Sequence, residues 1–218
     1  METATSMPMW GDILTNKILA TASVILFLLY LGDLFKLMPP MIYSMGRPRG
    51  ISTFEHNVSI ARIRNRIAII CILPFCLIAD RFSLYEPTFF RSIPPQWSAV
   101  ATTGALIAYL SLRQILNLAI SPRLLGRDNA IAAKRSLYSF FILLCFVMIL
   151  TTGAVIFFKA DGSVSRVVFY SEIALFFLCS MVKTTQFLRN VCSKLHTFLY
   201  LCTLEIVPAA VLVLSTLV

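Results

Sequence analysis

A bilayer core asks for about 20 consecutive apolar residues per helix, and four stretches of this chain meet that demand: residues 13–31, 98–120, 136–158 and 197–217. A water-soluble fold of 218 residues cannot hide that much apolar surface in one core. Composition agrees, with 58% of residues hydrophobic and 13% charged, where soluble domains run to about half and about a quarter. Lipid is the expected solvent.

Two shorter apolar runs, 67–79 and 167–182, are long enough for a re-entrant or interfacial segment and short for a crossing. The placement of cations decides between these readings, because Lys and Arg near helix ends stay cytoplasmic. If both runs cross, as spans near 67–84 and 167–186, fourteen of the nineteen basic residues fall on one side and five (Lys17, Arg81, Arg91, Lys159 and Arg166) on the other. If 67–84 does not cross, the cluster Arg113, Arg123, Arg127, Lys134 and Arg135 moves to the outer side and the asymmetry collapses. The fifth span rests on less, since withdrawing it relocates only Lys183, Arg189 and Lys194. The expectation is an all-α polytopic membrane protein, one domain over 1–218, with six transmembrane helices and both termini on the outer face.

The net charge of +9 sits in short clusters between apolar runs, which is the pattern of topology signals rather than of a nucleic-acid-binding face. The six cysteines lie in or beside apolar segments with no C-x-x-C pair, and read as small buried hydrophobes rather than a disulfide framework or zinc site. The first twelve residues carry Glu2 and Asp12 and lack a basic n-region, so the first apolar run reads as a retained helix and not a cleaved signal.

Pro39-Pro40 and the run Gly46-Arg47-Pro48-Arg49-Gly50 argue for a loop after the first span. Ser52-Thr53-Phe54-Glu55 has capping-box spacing, which predicts a helix from near Thr53 into the second span, with Arg62, Arg64 and Arg66 at the anionic inner headgroups. The outer connection 80–97 is rich in aromatics and prolines and is expected to lie on the membrane surface. Ala101, Gly104, Ala105 and Ala108 form small-xxx-small pairs, predicting close packing of the third span on its neighbours or a homodimer through that face.

Ionisable groups within spans are the first places to seek function, because each costs several kcal/mol unless paired or hydrated. Lys17 and Glu172 fall at similar shallow depth and are expected to pair. Glu205 has about ten residues of the last span on either side, near the midplane, where snorkelling does not reach water. Pro208 removes a backbone donor three residues later and is expected to kink the helix. Glu205 with Arg113 of the third span forms either a buried pair that fixes packing or a site for proton or ion coupling. His56 and His196, both near the cytoplasmic boundary, do not make a convincing haem pair. H-E-x-x-H, G-x-S-x-G, P-loop and G-x-G-x-x-G motifs are all missing, so no cofactor is expected.

The C-terminal stretch K-L-H-T-F-L-Y-L-C-T-L-E-I-V-P, residues 194–208, resembles the closing helix of an uncharacterised family of integral inner-membrane proteins of Bacteroidota-type bacteria. The resemblance implies an inner-membrane location and no particular activity. With little chain outside the spans, the leading expectation is a non-enzymatic scaffold or accessory subunit of an envelope complex, in contact with membrane lipid and a membrane-protein partner or a second copy. A small proton- or ion-coupled transporter using Glu205, and a lipid-modifying enzyme, are the alternatives.

Overall fold

The computed structural model describes residues 10–46, 58–87, 90, 92–125, 127–189 and 194–217, and among these all regular structure is helical. The helices are α1 (Leu14–Leu29), α2 (Leu31–Gly46), α3 (Val58–Arg81), α4 (Ser98–Leu125), α5 (Arg127–Phe158), α6 (Gly162–Arg189), α7 (Lys194–Leu201) and α8 (Val207–Leu217). Short 3-10 turns, Trp10–Asp12 and Pro95–Trp97, precede α1 and α4, and a π turn, Cys202–Ile206, joins α7 to α8.

Among the described residues three helices are long and apolar enough to cross a membrane: Pro95–Asn117, Leu137–Phe158 and Gly162–Gln186. A fourth crossing is available if α1 and α2 form one span, bent by 64°. This is fewer than the six read from the sequence. The fifth run, short by hydropathy, lies in a helix of ample length, whereas the second and sixth fall short for different reasons. α3 brings Arg62, Arg64 and Arg66 within a few residues of its apolar stretch. The last run, 194–217, is helical throughout, but its π turn divides it into pieces of 8, 5 and 11 residues.

The helix with the most charge among the apolar segments is nevertheless the centre of the bundle. One core cluster joins Leu34, Leu37 and Met41 of α2 to Ile67, Ala68 and Cys71 of α3 and to Ile142 and Cys145 of α5. A second joins Ile78 and Ala79 of α3 to Leu144 and Met148 of α5 and Phe169 of α6. α3 packs on α1, α2, α4 and α5, so most of its apolar stretch faces protein, Ile69 excepted, and it needs no unbroken apolar surface. α4 and α5, at 28 and 32 residues, are about 42 and 48 Å long at 1.5 Å per residue, longer than a hydrocarbon core of about 30 Å. Their excess lies where Arg123, Arg127, Lys134 and Arg135 cluster.

Two expectations change here. The Pro39-Pro40 pair does not end the helix: α2 runs through both to Gly46. The two prolines leave the carbonyls of Phe35 and Lys36 without their usual donors, and burial of Leu34, Leu37 and Met41, each at 3% exposure or less, offsets that loss. The small-residue face of α4 is only partly covered, with Ala101 and Ala105 half-buried. Gly104 and Ala108 are exposed, and a Cβ at Gly104 would meet nothing within 4 Å. The capping box at 52–55 lies outside the described residues.

Two of the αα corners end in Schellman motifs built without glycine. After α3, the Leu84 N–H bonds the Ala79 carbonyl at 2.8 Å and the Ser83 N–H bonds that of Asp80 at 3.2 Å, with Ser83 at φ 52°. After α5, the Ala160 N–H bonds Val155 and the Lys159 N–H bonds Ile156, with Lys159 at φ 50°. Left-handed backbone costs an L-residue about 1 kcal/mol that glycine avoids. Ser83→Gly and Lys159→Gly are each expected to raise stability by about 0.5–1 kcal/mol, read as a higher thermal midpoint in detergent; a lower midpoint for both would contradict this account of the corners.

Candidate functional site

Asp80, in the last turn of α3, holds together the end of the bundle where α1 and α4 begin. Its Oδ2 accepts a 2.6 Å hydrogen bond from Trp10 Nε1, ahead of α1. Its Oδ1 accepts from the Ser98 hydroxyl at the start of α4 and, at 3.5 Å, from that of Thr102 one turn on. Asn16, fully buried on α1, donates through Nδ2 to the Trp10 carbonyl at 3.2 Å, and its Oδ1 is buried without a hydrogen-bond partner among the described residues. Three chain segments thus meet on one carboxylate. Hydrogen bonds to an ionised acceptor are about twice as strong as neutral ones.

The neighbouring Arg81 takes no part in that network. Its guanidinium lies 5.5 Å from the Trp10 ring centroid and 5.8 Å from that of Phe82, within cation–π range. Phe82 in turn packs on Phe169 of α6, with ring centroids 4.6 Å apart. The Tyr170 hydroxyl of α6 donates to the Leu84 carbonyl at 3.0 Å, fastening the corner to α6. The outer connection, expected to lie on the membrane, is at its start folded back on the bundle, while Trp97 at its end is 54% exposed.

Beside this cluster a groove of about 270 Å³ opens between α1, α3 and α5. Its walls include Ala20, Ser23 and Phe27 of α1, Pro74 and Leu77 of α3, and Thr152 of α5, with Trp10 and Arg81 at one end. The surface is almost wholly apolar.

The residues singled out from the sequence are scattered. Lys17 is exposed on α1, and Glu172 of α6 takes its hydrogen bond from the Thr151 hydroxyl at 2.5 Å, so the expected Lys17 to Glu172 pair does not form. The other oxygen of Glu172, Oε2, is buried without a hydrogen-bond partner among the described residues. The three arginines in the first half of α3 do not share one environment: Arg62 and Arg66 are exposed, whereas Arg64 is 1% exposed and belongs to the interior, where a headgroup does not reach. Arg113 is half-buried on α4, next to Gln114, whose Nε2 donates to the Tyr138 hydroxyl of α5 at 2.8 Å. Glu205 has its backbone in the π turn, which packs against α4, the helix of Arg113; its side chain lies outside the described residues. Pro208 is buried as the second residue of α8, two residues beyond the π turn, in which the Val207 N–H reaches back five residues to Cys202. His56 and the side chain of His196 lie outside the described residues.

Comparison with protein-family models, curated proteins and solved structures found no match. What the clusters do therefore rests on their own residues. Asp80 escaped sequence reading because it stands at the end of an apolar run, where an acid looks like the start of a loop. Its partners lie 18, 22 and 70 residues away.

Asp80→Ala strands the Trp10 N–H and frees two hydroxyls, so a loss of about 2–3 kcal/mol is expected, with Ser98→Ala nearer 1 kcal/mol. Thermal unfolding in detergent measures both. Equal, negligible losses would show that the carboxylate does not hold this end.

Proposed function

We propose that the chain is a multi-pass protein of a bacterial inner membrane whose six apolar segments all cross, with both termini periplasmic, and that it serves as a scaffold or accessory subunit of an envelope complex without chemistry of its own. The threading is supported by the fourteen-to-five division of cations. It also suits a bundle in which Trp10, Asp80 and Ser98 meet at one end.

The scaffold reading is carried by the open face of α4. Val100, Gly104, Ile107, Ala108, Ser111 and Ile115 are all exposed and recur at helical spacing. Lipid tails are as apolar as leucine, so helices associate in membranes where small residues let backbones approach. A stripe with glycine and alanine at its centre and β-branched residues at its edges has that shape, and the fold leaves it uncovered. Its partner is a transmembrane helix, of another subunit or of a second copy.

Because a side chain at Gly104 meets open space, Gly104→Leu is expected to leave folding intact, with thermal stability within about 0.5 kcal/mol, while abolishing association. Native mass measurement after extraction in mild detergent reads this. A wild-type protein that runs as a lone monomer, or a Gly104→Leu variant with undiminished assembly, would refute the reading.

A second reading is favoured by the π turn. Single π turns in α-helices occur frequently at functional sites, and this one carries Glu205 just ahead of Pro208. Proton or ion coupling through Glu205 and Arg113 predicts that the protein in liposomes dissipates an imposed pH gradient and that Glu205→Gln does not. Under the scaffold reading neither protein conducts, and assembly survives the substitution.

A further inference from the structure

The groove between α1, α3 and α5 arises from a mismatch of sizes. Ala20 and Ser23 on α1 line it opposite Pro74 and Leu77 on α3, and short side chains on one wall leave the space unfilled. A gap with no partner atoms forfeits dispersion contacts, whereas a gap open to lipid is filled by hydrocarbon. On α1 the lining runs from Ala20 to Leu28 and on α3 from Pro74 to Arg81, about 12 and about 10 Å at the helical rise, which suits a segment of one extended chain lying along the helices.

The end of the groove is chemically distinct from its walls. Arg81 is exposed and has no ion-pair partner among the described residues. The adjacent carboxylate is already occupied by Trp10, Ser98 and Thr102. With Trp10 and Phe82 in cation–π range, the guanidinium keeps a planar fork of donors for an acceptor such as phosphate. Trp10, anchored at 2.6 Å to Asp80, and the exposed Trp97 set this end at the depth that tryptophan favours, beside the headgroups.

We infer that this groove holds an acyl chain of an anionic phospholipid, with Arg81 taking its headgroup phosphate. A net-negative lipid is preferred because a zwitterionic one brings its own cation to the same place. The inference does not depend on the scaffold role: it needs the bundle to sit in lipid and nothing of its partners.

The two tryptophans make the test direct. The full chain carrying Trp97→Phe, so that Trp10 alone emits, is reconstituted in phosphatidylcholine vesicles. An equal minor fraction of lipid is replaced either by phosphatidylglycerol or by phosphatidylcholine, each with brominated chains. One arginine contact at the surface corresponds to about a five-fold preference, so the brominated anionic lipid should quench Trp10 at about one-fifth the concentration needed by the other. Arg81→Gln should make the two equal, and Arg81→Lys should keep most of the difference. Ala20→Leu, which fills the groove, should weaken quenching by both. Circular dichroism checks that each variant folds, and Arg81, being exposed, is a mild site to change.

Equal quenching by the two lipids in the Trp97→Phe protein would overturn the proposal. So would a preference that survives Arg81→Gln. Quenching that Ala20→Leu leaves untouched would put the chain elsewhere. Loss of the preference on adding inorganic phosphate would mark a site for free anions rather than for lipid, and would overturn it equally.

Discussion

The bundle depends on a helix that lipid would not tolerate along its whole length. α3 carries three arginines before its apolar stretch, a proline inside it, and Asp80-Arg81 at its end, a composition costly to expose to hydrocarbon. Surrounding it with α1, α2, α4 and α5 removes that cost. It also explains why Arg64, at 1% exposure, belongs to the interior although its sequence neighbours Arg62 and Arg66 face outward. The more uniformly apolar α4 and α6 stand at the margin, where large apolar side chains such as Ile107 and Leu175 remain exposed.

The two ends of α3 are handled differently. At the Asp80 end, one carboxylate gathers donors from the turn before α1 and from α4, and a Schellman corner carries the chain back onto α6. Polar groups there are drawn inward by hydrogen bonds, and the single cation beside them is left facing out. At the other end α2 is held by burial of Leu34, Leu37 and Met41 rather than by local preference. That is how a helix persists through Pro39 and Pro40, since tertiary packing outweighs propensity when a whole face is buried.

Much of the helical content was legible because a run such as 137–158 needs only hydropathy to declare itself. The fifth span, in α6, was legible only in part: Arg166 and Lys183 bound its apolar run and made it look short, while Ser165, Ser180 and Thr184 are buried in the bundle. The expected site was less legible. Lys17 and Glu172 were expected at one depth, yet Lys17 is exposed and Glu172 bonds to α5, because depth along a helix is read from sequence and azimuth is not. Thr151, which Glu172 uses instead, gave no signal. The small-residue face of α4, with Ala101 and Ala105 half-buried and Gly104 and Ala108 exposed, shows a limit of another kind: spacing marks a surface fit for close approach but does not say whether the approaching helix belongs to the same chain.

The sequence by itself determined that this is a helical chain with apolar segments suited to a membrane, since hydrocarbon leaves the backbone few ways to satisfy its own hydrogen bonds. Only the tertiary structure decided which helix is central, that Asp80 joins three segments, and that Ala20 and Ser23 lie opposite Pro74 across an open groove. Those facts depend on which faces meet, and residues far apart in the chain carry no local trace of one another.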